Sequence, residues 1–262
     1  MIKLLTINTW KCDGDYHKRM EALQNQILTI EADVIALQES FQTIDNKYST
    51  ANTLANALGY YHISSQSRKR FRIIDGAEKD SYSNLAILSK FPILKHHIFP
   101  LPTLLEDGGR DAMLAEIIIG KYTIMLANLH LTHLRNAKTL RRLQLKHILN
   151  QRFIKNNANA VFICGDFNAT MEDEALSGFL HPPYLLIDTF KFRKNIEGID
   201  FSLQTGTRSA KIDHIFMMPI NEKVPKIIDA SIVMHSPDPK TGVKPSDHNG
   251  VLTIFNFEND EN

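Results

Sequence analysis

Val161-Phe-Ile-Cys164-Gly-Asp166-Phe-Asn168 is an apolar run that meets a glycine and then gives way to two polar residues spaced two apart. The run begins at Ala160 and is too short for a helix, so it reads as a buried strand with a polar end. Cys164 inside it reads as a buried, reduced thiol. The two cysteines lie far apart in sequence, so no disulfide framework is implied. Taken alone, Asp166-Phe-Asn168 after Gly165 also reads as an ordinary turn, because Asp and Asn favour turns.

The same form recurs outward along the chain. Leu4 to Asn8 is a short apolar run with a polar end, and Val34-Ile-Ala-Leu-Gln38 repeats it. Between them Met20, Leu23, Ile27 and Ile30 recur at helical spacing and define one apolar face. A second helix is expected over Thr50 to Leu58, closed by Gly59, followed by an extended Tyr60 to Ser64. Leu85-Ala-Ile-Leu88 reads as a strand closed by Phe91-Pro92. Ala112 to Ile119 and Tyr122 to Leu129 flank Gly120-Lys121 and form a hairpin pattern. Leu134 to Leu149 reads as a helix with Leu134, Ala137, Leu145 and Ile148 on one side. Arg141 and Gln144 fall in that arc, and a polar pair hydrogen-bonded to neighbouring loops is the favoured reading over a catalytic one. Ile212 to Met217 and Val251 to Phe255 complete the strands. Two sheets packed face to face and covered by helices fit this order, as do helices on one side alone.

The 262 residues, 43% of them hydrophobic, are read as one domain over 1–262. The 30 Lys+Arg nearly cancel the 29 Asp+Glu, so no overall basic field points to nucleic acid or an anionic membrane, although a local patch can suffice for either. The opening Met1-Ile-Lys-Leu-Leu-Thr-Ile-Asn-Thr-Trp10 is too briefly apolar for a signal peptide, and no other run is long enough to cross a bilayer. A cytoplasmic monomer is the expectation, with signal-independent export left open.

The chemistry lies in the strand ends. Asn8, Glu39, His130, Asp166 with Asn168, Asp213 with His214, and Asp247 with His248 all stand where an ordinary turn residue would do. Singly each has a plain reading: Glu39 as a solvated strand end, Asn8 as a cap, His130 as an outward-facing residue. Six such coincidences in one chain are much harder to dismiss. If the ends meet, their carboxylates and carboxamides are hard oxygen donors for Mg²⁺ or Mn²⁺, with Glu39 and Asn8 the right ligand types. No Cys/His cluster has zinc spacing. Hydrolysis of a phosphate ester requires a positioned water, charge neutralisation and help for the leaving oxygen. Asp166 is suited to orient or deprotonate the water, and Asn168 to donate its amide to the developing oxyanion. His248, oriented by a carboxylate such as Asp213, is suited to hold the phosphoryl group. His130 and the metal would stabilise the leaving side.

Thr6-Ile-Asn-Thr-Trp10, Leu37-Gln-Glu39, Asn128-Leu-His130, Gly165-Asp-Phe-Asn168, Ile212-Asp-His214 and Ser246-Asp-His248, in that order, resemble the endonuclease/exonuclease/phosphatase superfamily over nearly the whole chain. Leu85-Ala-Ile-Leu-Ser-Lys-Phe-Pro92 is similar to a strand and turn of that group. The resemblance implies an α/β (α+β) fold of the DNase I-like kind, a four-layered α/β/β/α sandwich with its active site at one edge. It implies a Mg²⁺-dependent, or Mn²⁺-dependent, hydrolase with Asn8 and Glu39 on the metal and Asp247 near it. Asp166 and Asn168 would handle nucleophile and phosphate, Asp213 would orient His248, and His130 would contact the phosphate or leaving group. A binding module that had lost the chemistry would lack at least one of these groups, and none is missing.

The superfamily spans nucleases, deadenylases, sphingomyelinases, inositol-phosphate phosphatases and enzymes that remove tyrosyl groups from DNA, so the core motifs leave the phosphate-ester substrate open. A nucleic-acid strand is somewhat favoured over a lipid or sugar phosphate. Arg110, within Leu105-Glu-Asp-Gly-Gly-Arg110-Asp111, and Asn84 are the substrate-binding candidates. The alternative for Arg110 is a surface ion pair of little consequence. Ser67-Arg-Lys-Arg-Phe-Arg72 reads as a basic rim or, with acids following closely, as a solvated loop, the latter slightly preferred.

Overall fold

A computed structural model describes residues 1–151, 158–220 and 224–257. The apolar runs form two mixed sheets. The first contains β1 (Ile2–Asn8), β2 (Val34–Thr43), β3 (Tyr61–Ser64), β4 (Arg70–Ile74), β5 (Ala77–Ser89), β14 (Lys226–Val233) and β15 (Gly250–Asn256), in the order β14-β15-β1-β2-β5-β3 with β4 also pairing β5. The second contains β6 (Ile93–Pro100), β7 (Asp111–Ile119), β8 (Tyr122–His130), β9 (Ala160–Asp166), β10 (Ile187–Asp188) and β13 (Asp213–Met218), in the order β10-β13-β9-β8-β7-β6. A small hairpin pairs β11 (Leu203–Thr205) with β12 (Arg208–Ala210).

Successive residues of the central strands bury opposite faces, which is why the runs are apolar without alternation. Leu4, Val34, Ala36, Leu126, Phe162, Ile215 and Val251 meet between the sheets. On the outer face of the first sheet, Leu5, Ile7 and Ile35 pack on Leu23 and Ile27 of α1 (Tyr16–Ile30) and Leu54 of α2 (Thr50–Leu58). On the outer face of the second, Val161, Ile163 and Phe216 pack on Leu145 and Ile148 of α3 (Lys138–Leu149). Helices therefore cover both sides, giving four layers. Among the described residues no helix is long and apolar enough to cross a membrane.

The parallel pairs bring the polar ends together. β1 runs parallel to β2 and β8 parallel to β9, so Asn8, Glu39, His130 and Asp166 finish at one edge. β13 and β15 run antiparallel to their neighbours and start at that edge, which adds Asp213 and the segment holding Asp247 and His248. Gly165 is required here: its φ is 137° and an added Cβ would lie 2.0 Å from the Leu129 carbonyl oxygen. Buried Asn128 ties the two sheets together just behind the edge. Its amide donates to the Leu37 and Ala86 carbonyls at 2.9 Å each, and its oxygen accepts from Gln38 Nε2 at 2.7 Å.

The third helix starts at Lys138, later than the spacing of Leu134 and Ala137 suggests. Asn136 takes a left-handed φ of 57°, and Arg141 Nη1 holds the Thr132 and Leu134 carbonyls at 3.2 and 3.1 Å. Gln144 accepts from the Thr132 N–H and donates to the Pro102 carbonyl. The buried polar pair of this helix thus shapes the loop that follows His130.

Candidate active site

Asn8, Glu39, His130, Asp166, Asn168, Asp247 and His248 line one cavity of about 290 Å³, together with Trp10, Lys11, Arg68 and His133. A larger cavity of about 610 Å³, bordered by Phe190, Arg193 and Lys211, contains none of the ten candidate residues.

Asp166 is the hub. Asn8 Nδ2 donates to its Oδ2 at 3.1 Å, and the Asn168 N–H donates to its Oδ1 at 2.9 Å. His130 Nε2 lies 3.4 Å and His248 Nε2 4.0 Å from Asp166 Oδ2. Burial, followed by the charge of Asp213, raises the Asp166 carboxyl well above the ordinary range, against the pull of His248. Asn168 sits at a left-handed φ of 50° with its amide donated to the Leu131 carbonyl at 3.0 Å. This leaves its second amide hydrogen free to serve a ligand.

Asp213 lies directly behind the cavity. Its Oδ2 is 2.8 Å from His248 Nδ1, and its N–H is held by Ser202 Oγ at 3.0 Å. The ionised carboxylate accepts, so Nδ1 carries a proton and Nε2 faces Asp166. Burial alone would lower His248, but Asp213, Asp166 and Asp247 together raise it to about 10, so it is cationic at neutral pH. Burial keeps His130 neutral instead, well below the ordinary histidine value, with Arg110 and Arg68 adding to the effect.

Glu39 reaches the cavity through strain. The register between β2 and β5 shifts between Leu37 and Ser40, and at this bulge Glu39 adopts φ 51°. Its Oε2 is paired with Lys11 Nζ at 3.0 Å, and Lys11 also reaches Asp13 at 3.2 Å. Ser246, whose hydroxyl donates to the Asn8 carbonyl at 2.6 Å, ties the segment carrying Asp247 to the end of β1. Burial raises the Asp247 carboxyl, and Glu39 adds to the rise across the cavity. Asp213 Oδ1 is buried without a hydrogen-bond partner. The carboxylates thus press on one another in two pairs, Asp166 with Asp213 behind the cavity and Glu39 with Asp247 across it, where Asn8 joins the second pair. Such an excess of hard, partly unsatisfied oxygen fits a divalent cation.

Arg110 and Asn84 are placed differently from expectation. Arg110 does not line the cavity: its side chain is 2% exposed and is locked on Asp107 at 2.9 Å, neither reaching the cavity nor forming a surface pair. Asn84 is buried on β5, accepting from the Ser67 N–H at 3.2 Å and donating to Gln42 Oε1 at 2.9 Å. The Ser67–Arg72 segment divides: Arg68 turns into the cavity, whereas Arg70 to Ile74 form β4. His214 is a buried structural residue, its Nε2 2.8 Å from the Ala169 carbonyl oxygen.

The sequence reading missed Lys11, His133 and Arg19. Arg19 spends all five guanidinium hydrogens on the carbonyls of Thr9, Trp10, Lys11, Asp13 and Pro245, and its guanidinium lies 4.9 Å from the Trp10 ring centroid. It fixes the loops carrying Lys11 and Asp247. A cation beside Met20 on the apolar side of α1 was the available signal.

A two-sheet sandwich with amide, carboxylate and imidazole groups gathered at one edge defines a phosphoric ester hydrolase. Residues 5–248 match the Endonuclease/Exonuclease/phosphatase family, and the chain belongs to it. Among solved structures, an endonuclease/exonuclease/phosphatase family protein from Leptotrichia buccalis is similar at TM-score 0.76 and 20% identity, over 98% of this chain and 100% of that one. Humanized D. rerio TDP2 matches at TM-score 0.73 and 20% identity, over 97% and 98%. A mannosyl-6-phosphatase from Bacteroides thetaiotaomicron matches at TM-score 0.73 and 18% identity, over 98% and 100%. Curated protein sequences give no match of comparable significance.

Proposed function

We propose that the chain is a Mg²⁺-dependent phosphodiesterase that uses water as its nucleophile, with a nucleic-acid strand as the favoured substrate. The reading is carried by Asp166, which stands within reach of Asn8, Asn168, His130 and His248 at once. In its ionised form Asp166 orients a water and accepts its proton. The free amide hydrogen of Asn168 and the cationic Nε2–H of His248 hold the phosphoryl oxygens as charge builds on them. Asp213 keeps His248 protonated and correctly turned, and neutral His130 donates to the phosphate or the leaving oxygen. Asn8, Glu39 and Asp247 would hold the cation, which supplies Lewis-acid stabilisation of the developing charge. Lys11, paired with Glu39 at 3.0 Å, adds a fixed positive charge beside that carboxylate.

A phosphomonoesterase or a lipid or inositol-phosphate phosphodiesterase is the second reading. The near-neutral charge and the likeness in fold to a mannosyl-6-phosphatase favour it. The discriminating experiment is hydrolysis of single- and double-stranded DNA, RNA, sphingomyelin, inositol phosphates and sugar phosphates with Mg²⁺ and with EDTA. Mg²⁺-dependent cleavage of a polynucleotide supports the first reading. Turnover confined to a monoester or lipid replaces it with the second.

A further inference from the structure

Besides Trp10, two residues of the cavity have no part in the chemistry above, and each is braced from behind by one of the buried residues first expected to touch substrate. Arg68 is half-buried and lines the cavity. It sits at a left-handed φ of 54°, which is unfavourable for arginine, and Asn84 secures the turn by accepting the Ser67 N–H. The acids nearest Arg68 in charge, Glu39 and Asp107, are already engaged by Lys11 and Arg110. Burial, followed by the charge of Arg110, lowers Arg68 to about 10, so its cationic form is under-compensated.

His133 completes the pair. Arg110 Nη2 lies 2.6 Å from His133 Nδ1, and a guanidinium nitrogen only donates, so Nδ1 is the acceptor. Asp107 Oδ1, at 3.4 Å from the same nitrogen, is too distant to compete and instead anchors Arg110 Nε at 2.9 Å. The ring proton is therefore confined to Nε2. Burial and the Arg110 charge keep the ring neutral, and the side chain is 54% exposed at the cavity. A forked cation and an N–H donor, both held by buried supports, thus line the same cavity as the groups around Asp166.

We propose that Arg68 and His133 form a second anion subsite that takes the non-scissile phosphate of a substrate carrying at least two phosphate groups. The planar fork of arginine matches phosphate oxygens, and the ligand supplies the countercharge that Arg68 lacks. Arg110 and Asn84 are positioning residues for the subsite. The inference rests on the phosphate-ester reading of the site, and it narrows the substrate to a polynucleotide or a polyphosphorylated sugar.

The test is calorimetric binding in Mg²⁺ of thymidine 3′,5′-bisphosphate against thymidine 5′-monophosphate, and of inositol 1,4-bisphosphate against inositol 1-phosphate. One charge-assisted contact corresponds to about a ten-fold gain in affinity, so the bisphosphate of at least one pair binds about ten-fold tighter, and that pair names the source. Arg68→Ala and His133→Ala erase most of the preference, whereas Arg68→Lys, which retains charge without the fork, keeps part of it. Arg110→Met reduces the preference by freeing the His133 ring, with thermal melting confirming a folded protein. Equal affinities within both pairs, or a preference unchanged in Arg68→Ala and His133→Ala, overturn the proposal. Its failure is separate from that of the catalytic reading, which falls if no phosphate ester is hydrolysed even where the bisphosphates bind.

Discussion

Asp166 and His248 meet at the cavity with Nε2 4.0 Å from Oδ2, while the opposite ring nitrogen of His248 is held 2.8 Å from Asp213. Asp166 and Asp213 are themselves direct partners in the antiparallel register of β9 and β13. Strand pairing sets the two carboxylates side by side and the Asp213 hydrogen bond holds the His248 cation between them, so the protonation states of the three groups are tied together.

The first consequence concerns His248. Its folded value is raised to about 10, so the stability it contributes is complete below its unfolded value, about 6.5, and is lost as pH rises through about 10. With Asp213→Asn the largest opposing attraction is removed and burial gains weight. NMR titration of the metal-free protein is expected to show His248 protonated at pH 8 in the wild type and titrating at lower pH in the variant. Identical titrations would remove Asp213 from its role.

Asp166 governs the acid side of the rate profile. Its carboxyl is raised by burial and by Asp213, and only the ionised form accepts a proton from water. Measured kcat/KM should therefore fall as pH drops, with a midpoint above the ordinary carboxylate value of about 4. A profile flat down to that value would show that Asp166 is not the proton acceptor.

Arg19 holds five loop carbonyls beside the cavity, so Arg19→Lys, with its three donors, leaves buried acceptors unpaired. A loss of about 3 kcal/mol in urea unfolding is expected, with weaker Mg²⁺ affinity from loosening of the Asp247 segment. Wild-type stability and affinity would make the arginine a surface ornament.

Gly165→Ala forces a Cβ against the Leu129 carbonyl at a backbone angle that L-residues rarely adopt. The expected cost is about 3 kcal/mol, read as a lower denaturation midpoint. The neighbouring Asp166 would shift with it, so activity should fall in the folded fraction as well.

Much of this site was legible because its residues end apolar strands. Asn8, Asp166 and His130 stand where a buried run stops, and parallel pairing carries those ends to one edge. Helix α2 was bounded correctly because Gly59 takes the left-handed C-terminal position at φ 68°. What stayed hidden depends on tertiary contacts that leave no periodic trace. The bulge that turns the expected Glu39 into the cavity was not legible, Arg19 acts on carbonyls of irregular loops, and His133 owes its orientation to Arg110, which lies far from it in sequence. The start of α3 was misplaced because Leu134 and Ala137 keep helical spacing while the chain still turns through Asn136. Arg110 and Asn84, expected to bind substrate, are instead buried behind the cavity and brace residues that line it.

The central claim is that Asp166 and a divalent cation together drive attack of water on phosphorus. Its most direct test is turnover of bis-p-nitrophenyl phosphate by the wild type and by Asp166→Asn, each titrated with Mg²⁺ and then treated with EDTA. The account predicts saturable, Mg²⁺-dependent turnover by the wild type, abolished by EDTA and reduced about a thousand-fold by the substitution. Turnover that survives EDTA, or an Asp166→Asn variant as active as the wild type, would contradict it.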